Sequence, residues 1–260
     1  MTAPDGAPSA GLPNGGPPTG GHLAGVELAI FDKDGTLIEF DSMWTGWVRR
    51  LADELATADE GRRHDDIVRA VMGVDLESGR VHPHGGLAAT PMARLRTMLV
   101  ERFADETGLP ATAAERVVDA AWHAPDPIAT ARPVADLRVL FTSLRGAGTR
   151  IAVATSDDRD PTERTLAHLG VADLVDAVAC ADDGRPVKPD PAAVLWLCRT
   201  IGVPASRTAV IGDSPVDLAM GRSAGVGVVI GVLTGVGDRE ALVGSADTIV
   251  KSVRDLLPPA

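Results

Sequence analysis

Short apolar runs recur along this chain with amphipathic stretches between them, and the two patterns alternate in a regular order. Val26-Glu27-Leu28-Ala29-Ile30, Arg150 to Thr155, Leu174 to Cys180, Thr208 to Ile211 and Val226 to Ile230 have the length and β-branched character of buried strands. The segments Pro133 to Arg145, Pro161 to Leu169, Pro191 to Ile201 and Pro215 to Ala224 carry helical patterns, each opening on a proline suited to a first helical turn. Such alternation predicts an α/β fold with a doubly wound parallel sheet, completed by a late strand near Ala246 to Val250 and a closing helix.

The first strand is not followed directly by the second. From about Phe40 to Pro127 the pattern is helical throughout, with helices expected at Met43 to Ala56, His64 to Met72, Pro91 to Thr107 and Thr112 to Trp122 and no strand-like alternation. This divides the chain into an α/β core made of 25–39 and 128–260 and a smaller inserted all-α domain over 40–127. Residues 1–24 are rich in Gly, Pro, Ser and Ala and almost free of large apolar groups, which predicts a disordered tail.

Candidate chemistry gathers at the strand ends, where open parallel sheets bind their ligands. Asp32 and Asp34 follow the first strand in Phe31-Asp32-Lys33-Asp34-Gly35-Thr36. One carboxylate can serve as a nucleophile and the other as a general acid and base, provided a loop turns the second into the same pocket. Gly35 supplies that turn. The second strand ends in Thr155-Ser156, and Lys188 lies in the proline-stiffened loop Arg185-Pro186-Val187-Lys188-Pro189-Asp190-Pro191. The strand at Thr208 runs into Gly212-Asp213-Ser214-Pro215-Val216-Asp217, with Asp217 about one helical turn beyond Asp213. Grouping Asp32, Asp34, Asp213 and Asp217 would concentrate negative charge that Lys188 alone cannot balance, a setting that suits a hard divalent cation such as Mg²⁺.

In order and spacing these segments resemble the four motifs of the haloacid dehalogenase superfamily: DxDG[TV], a strand ending in Ser or Thr, a lysine in a KPxP setting, and GDxxxD. The resemblance implies a core like that of the phosphoglycolate phosphatase group, with the helical insertion as a cap hinged near Leu37 to Asp41 and Ala124 to Val134. It implies a Mg²⁺-dependent phosphatase acting on a small-molecule phosphate ester through an aspartyl-phosphate on Asp32. Asp34 would be the general acid and base, with its backbone carbonyl in the metal shell. Thr155, Ser156 and Lys188 would bind phosphate, and Asp32, Asp34, Asp213 and Asp217 would form the metal set, Asp217 either ligating or orienting Lys188. An aspartate at position 34 argues against dehalogenase and phosphonatase chemistry, leaving a sugar phosphomutase as the alternative and a non-catalytic binding protein as a more distant one.

Composition fits one enzyme-sized unit, with 260 residues, 45% hydrophobic and 23% charged. The net charge of −11 and the lack of a basic stripe argue against nucleic acid as a partner. Cys180 and Cys198 read as buried free thiols in a reducing compartment. No apolar run reaches membrane-spanning length and no signal-peptide pattern opens the chain, so a cytoplasmic protein without a membrane partner is expected. The sequence carries no signature of an oligomeric state.

Trp44 and Trp47, three apart on the first inserted helix, are candidates either for its core or for the wall of a substrate pocket. Arg49, Arg50, Arg94 and Arg96 are expected on helix surfaces. Gly221-Arg222-Ser223-Ala224-Gly225 matches GxSxG but runs from helix into strand, the reverse of a nucleophile elbow. Gly225-Val226-Gly227 opens no helix and is no dinucleotide fingerprint, and His82 and His84 read as an exposed Gly-rich loop.

Overall fold

The computed structural model describes residues 21–257. Six strands form one all-parallel sheet: β1 (Leu28–Phe31), β2 (Arg150–Ala154), β3 (Ala177–Ala179), β4 (Thr208–Gly212), β5 (Val228–Val232) and β6 (Thr248–Val250), in the spatial order β3-β2-β1-β4-β5-β6. Chain order reverses on either side of β1, so the crevice of a doubly wound sheet opens at its carboxyl end. Every described residue of β1 and β4 is buried, as expected of central strands covered on both faces.

The helices number α1 (Phe40–Ala58), α2 (Asp65–Met72), α3 (Gly86–Ala89), α4 (Met92–Thr107), α5 (Ala111–Ala121), α6 (Pro127–Thr130), α7 (Leu137–Gly146), α8 (Arg159–His168), α9 (Ala192–Ile201), α10 (Pro215–Ala224) and α11 (Arg239–Leu242). Strand residues alternate between two apolar layers with the period of the pleat. Ala29, Phe31, Ile151, Val153 and Ile211 pack with Leu140, Phe141 and Leu166 of α7 and α8. Leu28, Ile30, Ala152 and Val210 face Val194, Leu197 and Met220 of α9 and α10. A third cluster unites α1, α2, α4 and α5 around Trp47, Leu51, Leu55, Val68, Leu99 and Phe103, so this helical layer has an apolar core of its own.

Two segments connect the sheet to the helical layer, and they run side by side. The Glu39 amide donates to the Arg132 carbonyl at 2.8 Å and the Val134 amide to Leu37 at 3.0 Å. That pairing explains why α7 begins at Leu137 and not at Pro133: residues 133–134 are engaged in an extended bridge, and Asp136 then caps the helix by accepting from the Val139 amide. β5 likewise starts two residues later than its apolar run, because the Val226 amide still donates to the Gly221 carbonyl at the end of α10 and pairing with β4 begins at Val228 opposite Ala209. The strand expected from Leu174 is cut to Ala177–Ala179, a 3-10 turn occupying Ala172–Leu174, and the closing helix is a 3-10 turn over Val253–Leu256.

Of the tail expected over 1–24, residues 1–20 lie outside the described residues. Residues 21–24 form a turn closed by the Ala24 amide on the Gly21 carbonyl, and Leu23 packs on the sheet core. Among the described residues no helix is long and apolar enough to cross a membrane.

Candidate active site

The register of the three central strands assembles the site. Phe31 stands opposite both Val153 of β2 and Ile211 of β4, so Asp32, Thr155 and Asp213 emerge together just past the sheet edge. Beyond Asp32 the chain turns back sharply, the Lys33 carbonyl accepting from the amides of Leu37 at 2.9 Å and Ile38 at 3.1 Å. Asp34 is thereby swung into the cavity and not carried away along a strand. Gly35 sits at φ +85°, and a Cβ there would lie 2.5 Å from Asp213 Oδ2, so only glycine fits this turn. Gly235, across the site, is equally tight: its Cβ would overlap the same carboxylate.

A cavity of about 50 Å³ lies over these strand ends, lined by Asp32, Asp34, Thr155, Ser156, Lys188, Asp213 and Asp217. The sequence-derived candidates in the core thus all meet in one place. Carboxylate oxygens of Asp32, Asp213 and Asp217 lie within 4.8 Å of one another. Lys188 Nζ donates to Asp32 Oδ1 and to Asp217 Oδ1, both at 2.6 Å. The second oxygen of Asp217 accepts from the Ser214 hydroxyl at 2.5 Å and from its amide at 3.2 Å, closing a capping box at the start of α10. With both oxygens so engaged, Asp217 holds Lys188 in place. Asp213 accepts from the Thr36 hydroxyl at 3.1 Å and the Val236 amide at 2.8 Å. The Thr155 oxygen accepts from the Asp157 amide at 3.1 Å, which directs its hydroxyl proton elsewhere.

Burial dominates the electrostatics. It pushes the Asp32 carboxyl up to about 7; Lys188 opposes that rise, while the charges of Asp217 and Asp34 add to it. Asp213 is raised well above the usual carboxylate range by burial and then by Asp32 and Asp217. Lys188 is the mirror case: burial pulls it down, but Asp217 and Asp32 outweigh that and hold it as an ammonium group. A set of hard oxygen donors whose charges resist coexisting without a counterion fits a divalent cation.

Several neighbours carry no motif signal. Lys33 is only 1% exposed, its ammonium 2.7 Å from Asp34 Oδ2 and 3.4 Å from Asp157. Its place directly behind a buried strand was the available clue, masked because a lysine between two aspartates reads as a solvated turn. Asp157, on the cavity wall, is raised by burial and by Asp34 against the pull of Lys33. It does not cap the following helix; Asp158 holds that position.

From the helical layer, Trp44 lines the cavity and Trp47 does not. The Trp47 indole donates to the His123 carbonyl at 2.8 Å and packs edge-on against Trp122, which makes it a core residue and removes it from the pocket candidates. Arg49, Arg94 and Arg96 bind carbonyls or carboxylates on the helical surface. His82 and His84 are exposed, and Ser223 of the GxSxG string is exposed on α10. Both cysteines are buried and free.

The haloacid dehalogenase-like hydrolase family profile matches residues 26–225, which includes all four motifs. The chain belongs to the haloacid dehalogenase-like hydrolase family. Among relatives of this hydrolase, a phosphoglycolate phosphatase of Rhodospirillum rubrum is 32% identical over 203 residues, covering 77% of each chain. A validoxylamine A 7'-phosphate phosphatase of Streptomyces hygroscopicus subsp. limoneus is 28% identical over 239 residues, covering 90% of this chain and 97% of that one. The fold is shared with the crystal structure of a Haemophilus somnus protein described as a predicted phosphoglycolate phosphatase, at TM-score 0.65 and 18% identity over 90% of this chain and 97% of that one.

Proposed function

We propose that this haloacid dehalogenase-like phosphatase hydrolyses a small-molecule phosphate ester through an aspartyl-phosphate on Asp32. The observation that carries this is the meeting of Asp32 and Asp34 with Thr155 and Lys188 in one cavity. In the first step an Asp32 carboxylate oxygen attacks phosphorus, and Asp34 gives its proton to the leaving oxygen as the phosphorus–oxygen ester bond breaks. In the second, Asp34 takes a proton from water, which attacks the phosphoaspartate and frees inorganic phosphate. Thr155, Ser156 and the Lys188 ammonium hold the phosphoryl oxygens where negative charge accumulates.

Asp32, Asp213 and the backbone carbonyl of Asp34 are the groups we assign to a Mg²⁺ ion, with Asp217 as the orienting partner of Lys188. When bound, the ion supplies positive charge that lets an anionic ester approach an anionic nucleophile. The helical layer over the strand ends acts in this proposal as a cap over 40–127, which restricts substrates to small molecules. The phosphatase names of the relatives, phosphoglycolate and validoxylamine A 7'-phosphate among them, support a small ester of that kind. A net charge of −11 weighs against nucleic acid as a partner, and two buried free thiols suit a reducing cytoplasm.

Phosphate release from a panel of small phosphomonoesters, with Mg²⁺ and with EDTA, tests this directly. Asp32→Asn should lower turnover by at least ~10³-fold and chelation should abolish it. Release that survives Asp32→Asn would refute the assigned nucleophile.

A further inference from the structure

Asp34 is held from two sides, by donors that belong to different layers of the molecule. The Trp44 indole N–H, on α1 of the helical layer, donates to Asp34 Oδ1 at 3.0 Å. Lys33 Nζ, from the sheet core, donates to Oδ1 at 2.9 Å and lies 2.7 Å from Oδ2. Lys33 is itself fixed by Asp157 at 3.4 Å. Trp44 is 6% exposed, and its ring meets Trp47 edge-on with centroids 5.7 Å apart. Trp47 is anchored in turn through its indole to the His123 carbonyl. The Trp44 donor is therefore rigidly aimed, and its position depends on where α1 lies relative to the sheet.

Resting on the phosphatase chemistry proposed above, we infer that Trp44 and Lys33 are positioning residues for Asp34, the proton donor to the leaving oxygen. A carboxyl side chain has several rotamers even on a fixed turn, of which few point at the leaving oxygen. Two fixed donors on one carboxylate select among them, and a proton donor acts only from within hydrogen-bond reach. Without the Trp44 N–H, Asp34 is held by Lys33 alone. Trp44 thus does more than wall the cavity: it aims the acid.

Proton donation matters in proportion to how poorly the ester oxygen leaves, which separates this role from simple packing. Trp44→Phe keeps the ring and removes the N–H. The experiment compares kcat/KM, which reports the first phosphoryl transfer, for an alkyl phosphate and for 4-nitrophenyl phosphate, whose leaving group departs without a proton. The alkyl ester should lose about tenfold more than the nitrophenyl ester. Lys33→Met, an uncharged side chain of similar length, should show the same selective loss, which covers the case in which one variant folds poorly. A loss equal for both esters, or no loss for either, overturns the inference. Wild-type release of phosphate, and its removal by Asp32→Asn, is read in the same assay, so failure of the underlying phosphatase chemistry shows separately.

Discussion

In the helical layer the arginines sit outside and pair there, while at the strand ends the lysines sit inside and pair there. Arg94 reaches Glu101 with both side chains more than half exposed, and Arg63 spans Asp53 and Asp65 on the same outer surface. Beneath them Trp47, Leu51, Leu99 and Phe103 form an apolar core, with the His64 ring edge-on to Phe103 and paired with Asp59 at its margin. At the strand ends Lys188 with Asp32 and Asp217, and Lys33 with Asp34 and Asp157, are buried or nearly so. Surface pairs of the first kind contribute little to stability, whereas buried charges carry a desolvation cost that their partners only partly offset. The helical layer is therefore built to stay folded. The strand ends are built to hold charge in an unfavourable place, which is the condition for using that charge on a phosphate.

Truncation inside the helical layer should have the largest effect on stability. Leu51→Ala removes a fully buried side chain and should lower unfolding free energy by about 2–5 kcal/mol in urea titrations. The pH dependence of stability should stay as in the wild type, because no group of the charged site is touched. A changed pH dependence would mean that the two regions are not energetically distinct.

An intermediate effect is expected from pH and metal. The Asp32 carboxyl rises from an ordinary value of 3.8 to about 7 in the folded protein, so it binds its proton more tightly folded than unfolded. Its stabilising contribution is complete below about pH 4 and is lost as pH climbs through about 7. Asp213, also raised, acts in the same direction. Metal-free protein should accordingly melt at lower temperature near pH 8 than near pH 5, and Mg²⁺ should raise the melting temperature most at the higher pH. Asp213→Asn should raise the melting temperature in EDTA near pH 8 and remove most of the Mg²⁺ response. A metal-free protein more stable at the higher pH would contradict the assigned electrostatics.

The smallest effect belongs to the exposed pairs. Arg94→Ala should change stability by less than ~1 kcal/mol and leave turnover unaltered. A larger change in turnover would bring the outer face of α4 into the site.

The strand-end residues were legible in the sequence because position along a parallel strand fixes position in space: once β1, β2 and β4 align, Asp32, Thr155 and Asp213 must meet. Lys188 was marked out only by its place in the series of four motifs, and Asp217 by lying about one helical turn beyond Asp213. Lys33 and Asp157 were not legible: the place of Lys33 just past a buried strand was outweighed by its aspartate neighbours, which read as a solvated turn, and its partner Asp157 comes from another strand end. Trp44 and Trp47 could not be told apart either. They sit on one helix with similar burial, and only tertiary packing sends one indole to Asp34 and the other to His123. Boundaries slipped where backbone pairing overrode local pattern, as at Pro133 and at Val226.

The most direct test of the account is to catch phosphate on the nucleophile. Protein mixed with Mg²⁺ and a turned-over phosphate ester, quenched in acid within the first turnovers and digested, should yield a phosphorylated peptide carrying Asp32, absent in Asp32→Asn. Phosphate on any other residue, or burst-phase turnover with no phosphopeptide trapped, would contradict it.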